Sequence, residues 1–202
     1  MPPQVRTDPE RVDGEGEGEG EAGRRAVAIG ADGQRAGEGG EGEGGEGESA
    51  GIDYAVDDVA YLTQLGLIRG HLKVGQRLYS DGEGAMAETH MKHPEAEIYA
   101  TLTEAFAARG CTGFARELQG LADAVMGKQS RESVEGAYQK LTVGIEACER
   151  VVDPSPRILA RVIEALVRVA ADEYAIGVVD GAIGNVHEFQ DAWGFTQVAG
   201  EL

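Results

Sequence analysis

Residues 65–99 read LGLIRGHLKVGQRLYSDGEGAMAETHMKHPEAEIY, and they decide the fold. Apolar positions recur at helical spacing on both sides of an Asp-Gly stop, and three of the four histidines of the chain fall among them. Leu67, His71, Val74 and Leu78 follow one another at intervals of 4, 3 and 4. Leu65, Ile68, Leu72, Gly75 and Tyr79 form a neighbouring row, while Arg69, Lys73 and Arg77 point the other way. A stripe this wide belongs to a long helix packed on one face, and the absence of proline from Asp53 to Ser80 lets it run that far. His71 lies inside the stripe. Asp81-Gly82 followed by Gly84 ends the helix.

After Met86 comes THMKHPEAEIY, in which Pro94 suits the first turn of a new helix and Glu95 and Glu97 suit its positive end. This reading places His93 at or near the N-cap, His90 just ahead of it, and the end of the helix at Arg109-Gly110. A third helix is expected from Thr112 to Met126, carrying Phe114, Leu118, Leu121 and Val125. A fourth, from Ser130 to Glu149, carries Val134, Tyr138, Leu141 and Ile145. Asp153-Pro-Ser-Pro starts a fifth, whose row Ile158, Val162, Leu166 and Val169 continues to Glu173 and Gly177. A carboxylate therefore occupies a core-facing position. Asp180-Gly181 stops that helix, and a sixth, Gly184 to Val198, carries Val186, Phe189 and Trp193.

The expected fold is an all-α bundle of about six helices in two hairpin-containing halves. In the first, His71 stands four residues before Gly75, an Asp-Gly turn comes next, and His90 begins the return. In the second, Glu173 stands four residues before Gly177, another Asp-Gly turn comes next, and His187 lies early in the returning helix. If this is a repeat, it predicts two pseudo-equivalent helical hairpins packed together.

Composition separates a tail from this domain. Residues 1–50 hold 14 glycines, 13 acids and 5 arginines with almost no large apolar side chain, in runs such as GEGEGEGE. Such a segment cannot bury enough apolar area to offset its ordering entropy, so it is expected to be disordered, with residues 51–202 forming the bundle. The net charge of −18 divides into −8 for the tail and −10 for the domain. Both parts would repel nucleic acids and anionic membrane surfaces. Glutamates spaced by glycine make a poor metal site, and the tail reads as solvated linker.

The two cysteines, Cys111 and Cys148, form no C-x-x-C or C-x-x-C-H, which excludes a zinc ribbon and c-type haem attachment. A disulfide and two buried thiols are both open to them. No apolar run is long enough to span a bilayer, so direct membrane insertion is not expected. The N-terminus MPPQVRTDPE lacks the apolar core of a secretory signal, which read literally predicts a cytoplasmic protein. A Gly/Glu linker ahead of a compact domain is also common behind a removed signal or anchor, and on that reading the protein is periplasmic.

Imidazole and carboxylate groups close together suit zinc, iron, manganese or copper. His71, His90, His93 and Glu97 fall within one hairpin and form the first candidate cluster. Against this, His71 can equally be a core histidine hydrogen-bonded to a carbonyl or carboxylate, with His93 a cap and His90 on the surface. Glu173 must be paired or ligating, because burying a lone carboxylate costs several kcal/mol. Arg157, Arg161 and Arg168 are its salt-bridge candidates. His187 and Asp191 stand four apart on one helix face, where a carboxylate can orient an imidazole. No P-loop occurs, G-x-S-x-G and G-x-G-x-x-G strings fall only in the low-complexity tail away from any strand-to-helix turn, and the E-x-x-H pairs of ferritin-like di-iron bundles are absent.

The segment ADEYAIGVVDGAIGNVHEFQDAWGF, Ala171 to Phe195, resembles the extracytoplasmic helical region that accompanies some bacterial high-affinity iron permeases. Tyr174, Val178, Asp180, Gly181, Ile183, Asn185, Glu188 and Phe189 carry the likeness. The first-half pattern G-H-L-x-V-G, with H-x-x-H-P and then E-x-Y, looks like the same group. An R-E-x-x-E string occurs once, at Arg131 to Glu135, but no apolar run long enough to span a bilayer carries it, so the resemblance implies an all-helical accessory domain in iron uptake rather than a transporter or an enzyme. Its expected ligand is iron, zinc or copper, or haem with His71 or His90 as axial ligand, and its expected partner a membrane permease or redox protein. Glu173, His187 and Glu188 would form a second cluster or complete the first. Neutral imidazole is needed for ligation, so metal binding is expected to weaken below about pH 6. The competing expectation is an interaction module with structural histidines.

Overall fold

The computed structural model describes residues 51–202, with the side chains of His93, Glu95, Ala96 and Glu97 left outside the description. The tail expected over residues 1–50 lies outside the described residues. The domain is all-α. Helix α1 spans Asp58–Asp81, and the Asp57 carboxylate caps it by accepting from the Ala60 N–H at 3.0 Å. It starts later than the pattern suggested because Asp53 instead accepts from the Ala55 N–H, closing a turn ahead of the helix. Gly82 ends α1 in the left-handed conformation, φ 93°.

The second helix departs from expectation. Helix α2, Gly84–His93, begins well before Pro94, and a π-helical turn, Pro94–Tyr99, joins it to α3, Ala100–Arg109. Proline has no N–H and its ring crowds the preceding turn, so the backbone widens around it rather than starting afresh. His90 therefore sits inside α2, and the backbone of His93 closes that helix rather than capping a new one. Helices α4, Ala115–Met126, and α5, Arg131–Glu149, come next, the latter capped by Ser130 as its sequence suggests. Helix α6, Pro156–Gly177, is capped by Ser155.

Asp180-Gly181 does more than stop α6. Strands β1, Val178–Val179, and β2, Ala182–Ile183, pair antiparallel across it. Asp180 and Gly181 take φ of 53° and 77°, the left-handed pair of a tight two-residue hairpin. Asn185 then caps α7, Val186–Ala199. Among the described residues there are seven helices where about six were expected, because Gly84–His93, expected as a connecting segment, is itself helical.

Helix α1 runs through the centre, packed against α2, α5, α6 and α7, while α6 and α7 form a hairpin of their own. Tyr61, Leu65, Ile68, Leu72, Leu166 and Phe195 are fully or almost fully buried where these helices meet. Two glycines allow α1 and α7 to touch. A Cβ on Gly194 would lie 2.6 Å from the Gly70 carbonyl oxygen, and one on Gly70 would lie 2.4 Å from Phe195 Cδ1. That approach brings the next residue of α1, His71, within reach of α7. Cys111 and Cys148 are joined as a disulfide that ties the segment after α3 to the end of α5, with Cα atoms 5.3 Å apart.

Candidate metal centre

Asp191, on the buried face of α7, is the hub of a polar cluster inside the bundle. Its Oδ1 lies 2.7 Å from His71 Nδ1 on α1 and 2.9 Å from His90 Nδ1 on α2. Its Oδ2 lies 3.2 Å from Nδ1 of His187, one helical turn earlier on α7. Asp191 and His71 are each 1% exposed and His90 is sealed at 0%. The His90 and His187 rings stack in parallel, centroids 4.1 Å apart, and the Phe195 ring meets His71 edge-on at 5.0 Å. Glu188 Oε2 is 3.9 Å from His187 Nδ1, and Glu173 on α6 is a second carboxyl group neighbouring Glu188.

Gln190 fixes the proton arrangement. Its amide nitrogen faces Met86 Sδ at 3.9 Å, so its Oε1 is the atom that meets His90 Nε2, at 2.9 Å. A carbonyl oxygen there requires the proton on Nε2. A second proton on Nδ1 would make His90 a buried cation, which burial opposes: desolvation pushes its pKa down, only partly countered by the bond and charge of Asp191. His90 Nδ1 and Asp191 Oδ1 stand 2.9 Å apart in the sealed interior, two donor atoms that a cation could share. A ligating imidazole that donates its other N–H to a carbonyl is also the usual support of a metal-bound histidine.

The neighbouring charges obey the same logic. Burial pushes the Asp191 carboxyl up, but the charges of His71 and His90 and their hydrogen bonds outweigh it and hold Asp191 well below the usual carboxylate range. Burial would lower His187, yet the neighbouring carboxylates of Glu188 and Asp191 raise it instead. Glu188 is held low, first by the neighbouring His187 imidazole.

Two groups have ligand atoms within 4.8 Å of one another: His71, His90 and Asp191, and His187, Glu188 and Asp191. The first could hold a metal ion. Two donors about 2.1 Å from one ion and at right angles are roughly 3 Å apart, close to the spacings found around Asp191 Oδ1.

Of the residues singled out from sequence, His71, His90, His187 and Glu188 converge here. Glu173 is buried as its row implies, at 1% exposure, but its neighbour is Glu188, while Arg168 pairs with Glu164. The side chains of His93 and Glu97 lie outside the described ones. Asp191 was legible only as a partner for His187, and its role as hub was missed. The signal was present in the sequence HEFQD, where His187 and Asp191 share a face at spacing four, but linking it to His71 needed the crossing of α1 and α7.

The likeness of this C-terminal stretch to iron-permease accessory regions is matched by comparison. Residues 152–202 match the iron permease-associated 4-helix bundle domain family. That match spans α6, the hairpin and α7, and so includes Glu173, His187, Glu188 and Asp191. His71 and His90 come from the preceding helices, outside the iron permease-associated match. No curated protein and no solved structure matches this chain.

Proposed function

We propose that this protein is a non-catalytic, iron-binding helical accessory protein of the bacterial cell envelope, with the ion held between α1, α2 and α7. The observation that carries the reading is the convergence of His71 Nδ1 and His90 Nδ1 on one buried oxygen of Asp191. Iron is favoured over zinc or copper by the iron permease-associated match over residues 152–202. An envelope location is supported by the disulfide, since such bonds persist in oxidising compartments. Among the described residues no helix is long and apolar enough to cross a membrane, so association with a permease would go through that partner.

A compact ion suits the cluster better than haem. The Nδ1 atoms of His71 and His90 turn towards one another on a single carboxylate, and the His90 Nε2 is taken by Gln190. The apolar groove between α6 and α7, with Val167, Tyr174, Phe189 and Trp193 along it, contains no histidine.

The same groove favours a second reading, in which the histidines are structural and the bundle docks a partner through this apolar face. Elemental analysis of the purified protein, with melting curves with and without chelator, separates the two. Iron in the protein and a melting temperature that falls on chelation support the first. A metal-free protein whose stability ignores both added Fe(II) and chelator supports the second.

A further inference from the structure

We infer that the centre is dinuclear, with Asp191 bridging two metal ions through its two carboxylate oxygens. This rests on the metal-binding reading above and extends it to a second ion. The two oxygens of Asp191 face two different ligand groups. On one side Oδ1 meets His71 and His90 at 2.7 and 2.9 Å. On the other, Oδ2 lies 3.2 Å from His187 Nδ1, whose other carboxylate neighbour is Glu188 Oε2 at 3.9 Å. Each group separately gathers three donor atoms within 4.8 Å, and Asp191 is the member they share.

The second group is also built to gain a ligand. Glu173 on α6 is 1% exposed and neighbours Glu188, itself only 6% exposed. Two buried carboxyl groups side by side repel when both are charged, and a divalent cation held between them offsets that repulsion. The complete donor set is then three imidazoles and three carboxylates from four helices, α1, α2, α6 and α7. Carboxylate-rich ligands projecting inward from facing helices are how bundles hold pairs of iron or manganese ions, although those use E-x-x-H pairs where this chain has H-E-x-x-D on α7.

The two positions differ in access. His71 and His90 are sealed, whereas the His187 side chain is 19% exposed. The outer position, at His187 and Glu188, is the one partly open to solvent, so its ion would be the more readily exchanged.

The test is anaerobic titration of the whole chain with Fe(II), with bound iron counted after desalting, for the natural protein and for His187→Ala and Glu188→Gln. Two irons per chain in the natural protein and one in each variant are expected. One iron in all three would overturn the second ion and leave the single-ion reading standing. No iron in any of them would overturn both. Two irons in the variants would overturn the assignment of His187 and Glu188. Folding of each variant is checked by its circular dichroism and melting curve in chelator, and two variants with different side-chain changes guard against the collapse of either.

Discussion

Replacing Asp191 by Asn should destabilise the metal-free protein and abolish its response to metal. Asp191 is 1% exposed and meets His71, His90 and His187 over 2.7, 2.9 and 3.2 Å. Hydrogen bonds to a charged group contribute about 1.5–3 kcal/mol each, and breaking a buried charged pair costs about 3–5 kcal/mol. Asparagine keeps one acceptor oxygen, so the contacts at Oδ1 survive as weaker neutral ones, while an amide N–H₂ comes to face His187. The net loss is therefore placed near the lower limit, about 3 kcal/mol, which for a domain of this size lowers the melting temperature by about 6–12 °C. Thermal melts followed by circular dichroism at neutral pH in excess chelator read this directly. The same melts with added Fe(II) should raise the natural protein, by about 2.7 kcal/mol at a hundredfold excess over its dissociation constant, and leave the variant unmoved. A variant that melts within about 2 °C of the natural protein would refute the role of Asp191 as hub.

The fold sets three further outcomes. Gly194→Ala puts a Cβ 2.6 Å from the Gly70 carbonyl oxygen and 2.7 Å from Val74 Cγ2, so it should cost about 1–3 kcal/mol in a melt and, by parting α1 from α7, weaken metal binding. Tyr61, whose hydroxyl donates to the Cys148 carbonyl, is pushed up to about 12 by burial, with Arg109 countering in part. The unfolded chain loses that proton near pH 10, so stability present below pH 10 should decline between pH 10 and 12 by about 3 kcal/mol, more than in Tyr61→Phe under denaturant titration. Reducing Cys111–Cys148, which closes a loop of sequence separation 37, should lower stability by about 3–4 kcal/mol in the same titration.

The helical class was legible because α1, α5 and α6 carry long uninterrupted stripes with clear caps, and Ser130 and Ser155 cap the helices that begin just after them. The region around Pro94 was not, because proline at the start of a helix and proline in a π-helical turn look alike in sequence, and only packing of α2 against α1 selects the second. That choice moved His90 from a loop into a buried helix face. The buried carboxylate at Glu173 was legible from its place in an apolar row, but its partner was not: the arginines nearby in sequence lie on the solvent face of α6, and Glu188 arrives only when the hairpin folds back. The cluster around Asp191 joins residues 71, 90 and 191, a separation over which spacing carries no information. The glycines that permit the crossing, Gly70 and Gly194, read in sequence merely as weak helix formers.

Metal binding by this bundle depends most directly on His71 and His90 as ligands. Anaerobic Fe(II) titration of the natural protein beside the His71→Ala, His90→Ala double variant tests it, with the fold of both checked by circular dichroism. Saturable binding in the natural protein, with the iron bound per chain reduced in the double variant, is the predicted result. Binding of equal affinity and stoichiometry in the two proteins would contradict it.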